Sequence, residues 1–147
     1  MTDKLNNDTY LRNLLIDKMK VSFKSDKAGI QSFIKYIHTY LKKSKPQDIS
    51  VNSHLLDMLN LDMDAKETFE HSYKHFLMKR LLSGNYNYDK EMTIVDYLRA
   101  NNYDGYSQYT IMVSDCELSS KLSPEIALYL NPNIDYKIDV LTDGIWP

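Results

Sequence analysis

His71 and His75, in the stretch HSYKH, stand four residues apart, the spacing that sets two imidazoles on one face of a helix where they could share a metal ion. No glutamate follows His71 as it does in zinc peptidases, and no third ligand is evident, so two solvent-facing or amphipathic imidazoles are the simpler reading. His54 with Asp57 could form an acid/base pair, but neither a nucleophile nor an oxyanion donor accompanies them. Cys116 is the only cysteine, which excludes an intrachain disulfide and a cysteine-based zinc site and fits a reducing compartment. Tyr86, Tyr88, Tyr97, Tyr103, Tyr106 and Tyr109 could stack on single-stranded nucleic acid beside lysines, yet at helical and loop positions they fit core packing better. Arg80, flanked by Leu77 and Leu81, is placed for partial burial with its guanidinium against a carboxylate or a helix terminus, and packing and function can coincide there. These residues imply no catalytic group, no metal and no cofactor, and an enzyme is not expected.

The bounds set by composition agree. The 147 residues suffice for one domain with a real core, and 43% hydrophobic with 26% charged residues is ordinary globular composition. Eighteen basic and 20 acidic side chains leave a net charge of -2, so no global field favours nucleic acid or an anionic membrane. No apolar run approaches the length of a membrane span, and the polar opening MTDKLNNDTY has no signal-peptide character, which points to a soluble intracellular protein.

Helices must position the residues singled out above. Asp8 or Thr9 can cap a first helix with Leu11, Leu14, Leu15 and Met19 at spacings of three and four, ending near Phe23. Ser25 or Asp26 opens a second, whose stripe of Ile30, Phe33, Ile34, Ile37 and Leu41 stops in the lysines before Pro46, a solvated helix end. A short third helix over Val51, Leu55, Met58 and Leu59 is followed by the strongest, from a capping box of Asp64 with Glu67 through Phe69, Tyr73, Phe76, Leu77 and Leu81 to a stop at Gly84. A fifth runs from about Asp89 to Ala100. A sixth carries Tyr106, Tyr109, Met112, Val113, Cys116 and Leu122 up to a restart at Ser123-Pro124-Glu125. After Asn131-Pro132-Asn133, the closing YKIDVLTDGIWP alternates as a β-strand into a Thr142-Asp143-Gly144 turn and Trp146. The expected fold is mainly α: an antiparallel helical bundle over residues 1–134 and a single C-terminal strand over 135–147.

Three ordered stretches resemble the cullin family. ETFEHSYKHFLMKRLL places Phe69, Tyr73, Leu77, Arg80, Leu81 and Leu82 as in the cullin pattern F-x-x-x-Y-x-x-x-L-x-x-R-L-L. YSQYTIMVSDCELSSKL is similar to the helix in which Met112, Asp115, Ser119 and Leu122 recur, and YKIDVLTDGIWP to the segment V-L-x-x-G-x-W-P, with Val140, Leu141, Gly144, Trp146 and Pro147 in place. His71, His75 and the Asn-Tyr loop after Leu82 depart from the family pattern and imply a divergent member.

The resemblance implies a non-catalytic scaffold fragment of a cullin-RING ubiquitin ligase, in the cytoplasm and nucleus. It lacks the substrate-receptor stalk and the winged-helix modules, and 135–147 is the truncated first strand of the family's α/β element. The implied partner is a RING-box protein, which adds a strand to that element and so positions a ubiquitin-conjugating enzyme indirectly; membrane and nucleic acid are not expected partners. Tyr136, Ile138, Val140, Leu141 and Trp146 are the residues implied for partner contact. Phe69, Tyr73, Leu77, Met112 and Leu122 are those for the bundle core, with Arg80, Leu81 and Gly144 as structural members of the motifs. The competing expectation is a small helical protein-binding module unrelated to ubiquitin transfer.

Overall fold

Residues 27–42 repeat apolar side chains every three or four positions, and in the computed structural model, which describes residues 2–42, 51 and 53–147, they form a helix that buries all five members of that stripe. In chain order the helices are α1 (Thr2–Ser25), α2 (Lys27–Lys42), α3 (Ser53–Met58), α4 (Met63–Leu82), α5 (Tyr88–Ala100) and α6 (Tyr106–Ala127). Asp26 is the joint between the first two. Its N–H closes α1 on Ser22 O at 3.1 Å, and its carboxylate accepts from Ala28 N–H at 2.8 Å to open α2. Of the lysines expected to end α2, Lys42 is exposed in the last turn, while Lys43 and Lys45 lie outside the described residues.

Asp62, rather than the expected Asp64, caps α4. Extended backbone at Asp62 lets its carboxylate accept from Ala65 N–H, three residues on, at 3.1 Å, whereas Asp64 falls inside the first turn, at the positive end of the dipole. Gly84 ends the helix at φ +70, a conformation that a Cβ would strain. Asn87 caps α5 in the same way as Asp62 caps α4, accepting from Lys90 N–H at 3.1 Å. The expected restart at Ser123-Pro124 does not occur: α6 runs continuously to Ala127 with Pro124 inside it. Only three residues follow Pro124, so its missing N–H removes one bond from a fraying end rather than breaking a helix.

Hydrogen bonds give the directions. Lys66 at the start of α4 donates to Asn101 O at the end of α5, and Arg80 near the end of α4 meets Glu91 at the start of α5, so these two are antiparallel. Lys27 and Gln31 share a cleft with Asp64 and Glu67, while His38 packs 5.1 Å from Phe76, so α2 and α4 run the same way. The expected all-antiparallel order therefore holds only in part.

The bundle closes around an aromatic ladder. Phe69 stacks on Tyr73 at 4.9 Å, Tyr73 meets the edge of Tyr109 at 5.2 Å, and Phe69 that of Tyr103 at 5.6 Å. Phe69, Tyr73, Leu77 and Met112 are fully buried, as expected of core residues, and so is Leu81 nearly; Leu122, expected in the core, is only half-buried, beyond Ser119, the last buried residue of α6. No β-ladder forms among the described residues, so the expected C-terminal strand is absent as a strand.

Arg80 is buried completely rather than partly. Its Nε and Nη2 donate to the two carboxylate oxygens of Glu91 at 2.5 and 2.9 Å, and Nη2 also approaches the Tyr73 hydroxyl at 3.5 Å. Its Nη1 lies 3.4 Å from His38 Nδ1. Burial, followed by the positive charges of Arg80 and Lys42, lowers the His38 pKa, which keeps the ring neutral and able to accept. One guanidinium thus ties α4 to α5 and α2. Glu91→Gln or Arg80→Met alone should cost about 3–5 kcal/mol in urea unfolding, because each strands a buried polar partner. The double replacement Arg80→Met/Glu91→Leu should recover most of that loss.

Candidate protein-docking site

The terminal segment lies along α6 without pairing to any strand. Ser119 Oγ accepts from Val140 N–H at 2.7 Å and donates to Val140 O at 3.2 Å, so one hydroxyl satisfies both backbone groups that a neighbouring strand would otherwise engage. One turn earlier on α6, Asp115 accepts from Thr142 N–H at 2.8 Å, from Thr142 Oγ1 at 2.9 Å and from Trp146 Nε1–H at 2.8 Å. The chain advances two residues, Val140 to Thr142, while the helix steps back four, from Ser119 to Asp115. Two extended residues and four helical ones each span about 6 Å, so the segment is extended and antiparallel to α6. Lys137 holds its other end, with Nζ donating to Leu82 O, the last carbonyl of α4, and pairing with Asp139 at 3.2 Å.

These anchors sort the residues expected to meet a partner. Trp146 is half-buried against the core with its N–H taken by Asp115, so it fastens the segment to its own bundle. Tyr136, Val140 and Leu141 stay 38, 45 and 40% exposed, and Ile138 is half-buried. Gly144, at φ +73, forms the turn that returns Ile145 and Trp146 to α6, with Ile145 N–H reaching Thr142 O at 3.4 Å. Among the described residues, the backbone N–H groups of Asp135 to Asp139 make no hydrogen bond within the chain.

A groove of about 730 Å³ opens beside that free edge. It is lined by Tyr136 to Asp139, by Tyr86 and Tyr88, and by Leu81 with residues of α6 from Cys116 to Ala127. Burial, then the Asp139 carboxylate, pushes the Cys116 thiol up to about 11, so it lines the groove protonated at neutral pH.

The other candidates are not brought together. His71 and His75 are both exposed on α4, and among the described residues no cluster of three metal-ligating side chains converges. The side chain of His54 lies outside the described residues, while Asp57 is exposed. Of the tyrosines, Tyr103 and Tyr109 are buried, Tyr86 and Tyr97 half-buried, and Tyr88 and Tyr106 exposed, so no continuous stacking face exists among them.

Sequence reasoning missed Glu91 as the partner of Arg80, and missed what Asp115, Ser119 and Lys137 do. A signal existed for Glu91: a carboxylate in the first turn of the helix that follows Arg80 across a short loop. Comparison with protein-family models, curated proteins and solved structures gives no match.

Burial opposes the charge on Asp115, but the hydrogen bonds from Thr142 and Trp146 outweigh it and lower the carboxyl pKa. A depressed folded-state pKa contributes stability that is present above the unfolded value, about 3.9, and is lost as pH falls through the folded one. Trp146 is the only tryptophan. Its emission should therefore shift to the red as pH drops below about 4, and Asp115→Ala should show the shifted spectrum already at pH 7, with helical circular dichroism retained.

Proposed function

We propose that the chain is a non-catalytic scaffold fragment of the cullin type, whose terminal segment offers its free edge to a strand of a RING-box protein and thereby places a ubiquitin-conjugating enzyme. The observation that carries the reading is the way the matched stretches touch. Asp115 and Ser119, from the second, hold Val140, Thr142 and Trp146 in or beside the third, while the aromatic and basic positions of the first, Tyr73 and Arg80, sit in the core beneath. These contacts support reading the three stretches as parts of one unit.

Physical chemistry favours a docking role over a reaction. The segment is fixed at Lys137, Val140, Thr142 and Trp146, so its intervening backbone is ordered before a partner arrives, and the ordering cost of strand addition is reduced. Groove and edge lie side by side, so an added strand could direct one row of side chains onto Leu81 and the tyrosine wall. A scaffold acts by distance and orientation, through effective concentration, and requires no acid or base of its own.

Mixing the chain with a RING-box protein should give a one-to-one complex in calorimetry, with amide protection in hydrogen exchange gained at residues 136–139 and 141. Val140→Asp with Tyr136→Lys should weaken binding at least tenfold, about 1.4 kcal/mol, leaving the thermal midpoint unchanged. Absence of any complex, or protection gained only on the helices, would sink the proposal.

A further inference from the structure

We infer that the outer face of α1 pairs with the same face of a second copy of this chain. Every described side chain from Thr9 to Leu15 is exposed, and Ile16 is the first to enter the core. Yet Tyr10, Leu11, Leu14 and Leu15 stand 65, 60, 43 and 61% exposed in that stretch. Spacings of three and four put the leucines on one face with Tyr10 at its margin, about a third of a turn away from the side on which Ile16, Met19 and Phe23 meet the bundle. α1 is apolar on two sides, and among the described residues only one of them is covered by its own chain.

Two physical costs attend that arrangement. Apolar side chains remain in water, and a helical stretch without packing is marginal on propensity alone. Together the four side chains expose on the order of 400 Å², within the range at which apolar patches begin to mark interaction sites. Face against face, with the stem of Lys18 extending the leucine face by one turn, two copies would remove about 1,000 Å² from water, the lower bound for a specific interface.

A second copy suits the face for two reasons. A net charge of -2 spread over 147 residues gives little repulsion between like chains. In an antiparallel register that sets Leu11 against Leu14 of the other copy, two-fold symmetry fills both sides with the same residues. Tyr10 then lies beside Asp17 of the second copy, close enough for its hydroxyl to donate to the carboxylate. The pairing uses no residue of the terminal segment, so it stands or falls apart from the scaffold reading.

Sedimentation equilibrium of the full chain tests it. The weight-average mass should climb from 17.2 kDa towards twice that value as concentration rises, and Leu11→Glu/Leu15→Glu should hold the monomer mass throughout with unchanged circular dichroism. Leu128→Ser/Tyr129→Ser removes apolar side chains that are 83 and 89% exposed elsewhere, and should leave association as it was. Leu11→Cys/Leu14→Cys, oxidised mildly, should form a covalent dimer, a readout independent of added charge. A wild-type chain that stays monomeric, a Glu variant that associates like wild type, or association abolished by the Leu128/Tyr129 variant would each overturn the inference.

Discussion

A guanidinium with no exposure to water is the constraint around which the bundle is arranged. Arg80 cannot be discharged by burial, so its charge must be met in place, and Glu91 meets it with both oxygens. That requirement fixes the register of α4 on α5, because only one turn of α5 can bring Glu91 opposite Arg80. It also recruits α2 through His38. Burial opposes the charge on Arg80, but the Glu91 carboxylate outweighs it and its pKa rises. The aromatic ladder of Phe69, Tyr73 and Tyr109 supplies apolar area, whereas the ion pair supplies a directional contact between α4 and α5.

The same logic, that a buried or half-buried polar group needs a named partner, operates at the other end of the molecule by different means. A strand ordinarily finds its partners in another backbone. Here side chains of α6 take that place: Ser119 serves Val140 on both its N–H and C=O, and Asp115 gathers three donors from Thr142 and Trp146. Side-chain hydrogen bonding of this kind satisfies the segment without a sheet.

Much of this was legible in the sequence, and the parts that were not have physical reasons. The periodic stripes of α2 and α4, the Gly84 stop and the aromatic core positions Phe69 and Tyr73 follow from local spacing, which sequence displays directly. Helix starts were less legible, because Asp62 and Asp64 are both good caps and only backbone geometry selects between them. Pro124 read as a break because sequence does not reveal how few residues α6 would continue beyond it. Alternation in Tyr136 to Leu141 read as a β-strand, but no strand forms there, because side chains of α6 rather than a second backbone satisfy the segment. Those side chains lie 21 residues away at Ser119 and 27 residues before Thr142 at Asp115, separations at which no periodicity operates.

Anchored and open positions are separate along the terminal segment. Trp146 and Thr142 are engaged by α6, as is the backbone of Val140; Tyr136 and Leu141 stay partly exposed, and among the described residues the backbone N–H groups from Asp135 to Asp139 have no hydrogen-bond partner. A segment free along its whole length would lose more conformational entropy on binding, and one tied down at every residue would have no edge to offer. Holding it at intervals leaves a short run of open backbone between fixed points, beside a groove already shaped by α6 and the Tyr86–Tyr88 loop. This intermediate degree of restraint is what the proposed strand addition would draw on: the fixed points tie the open backbone to the position of the bundle.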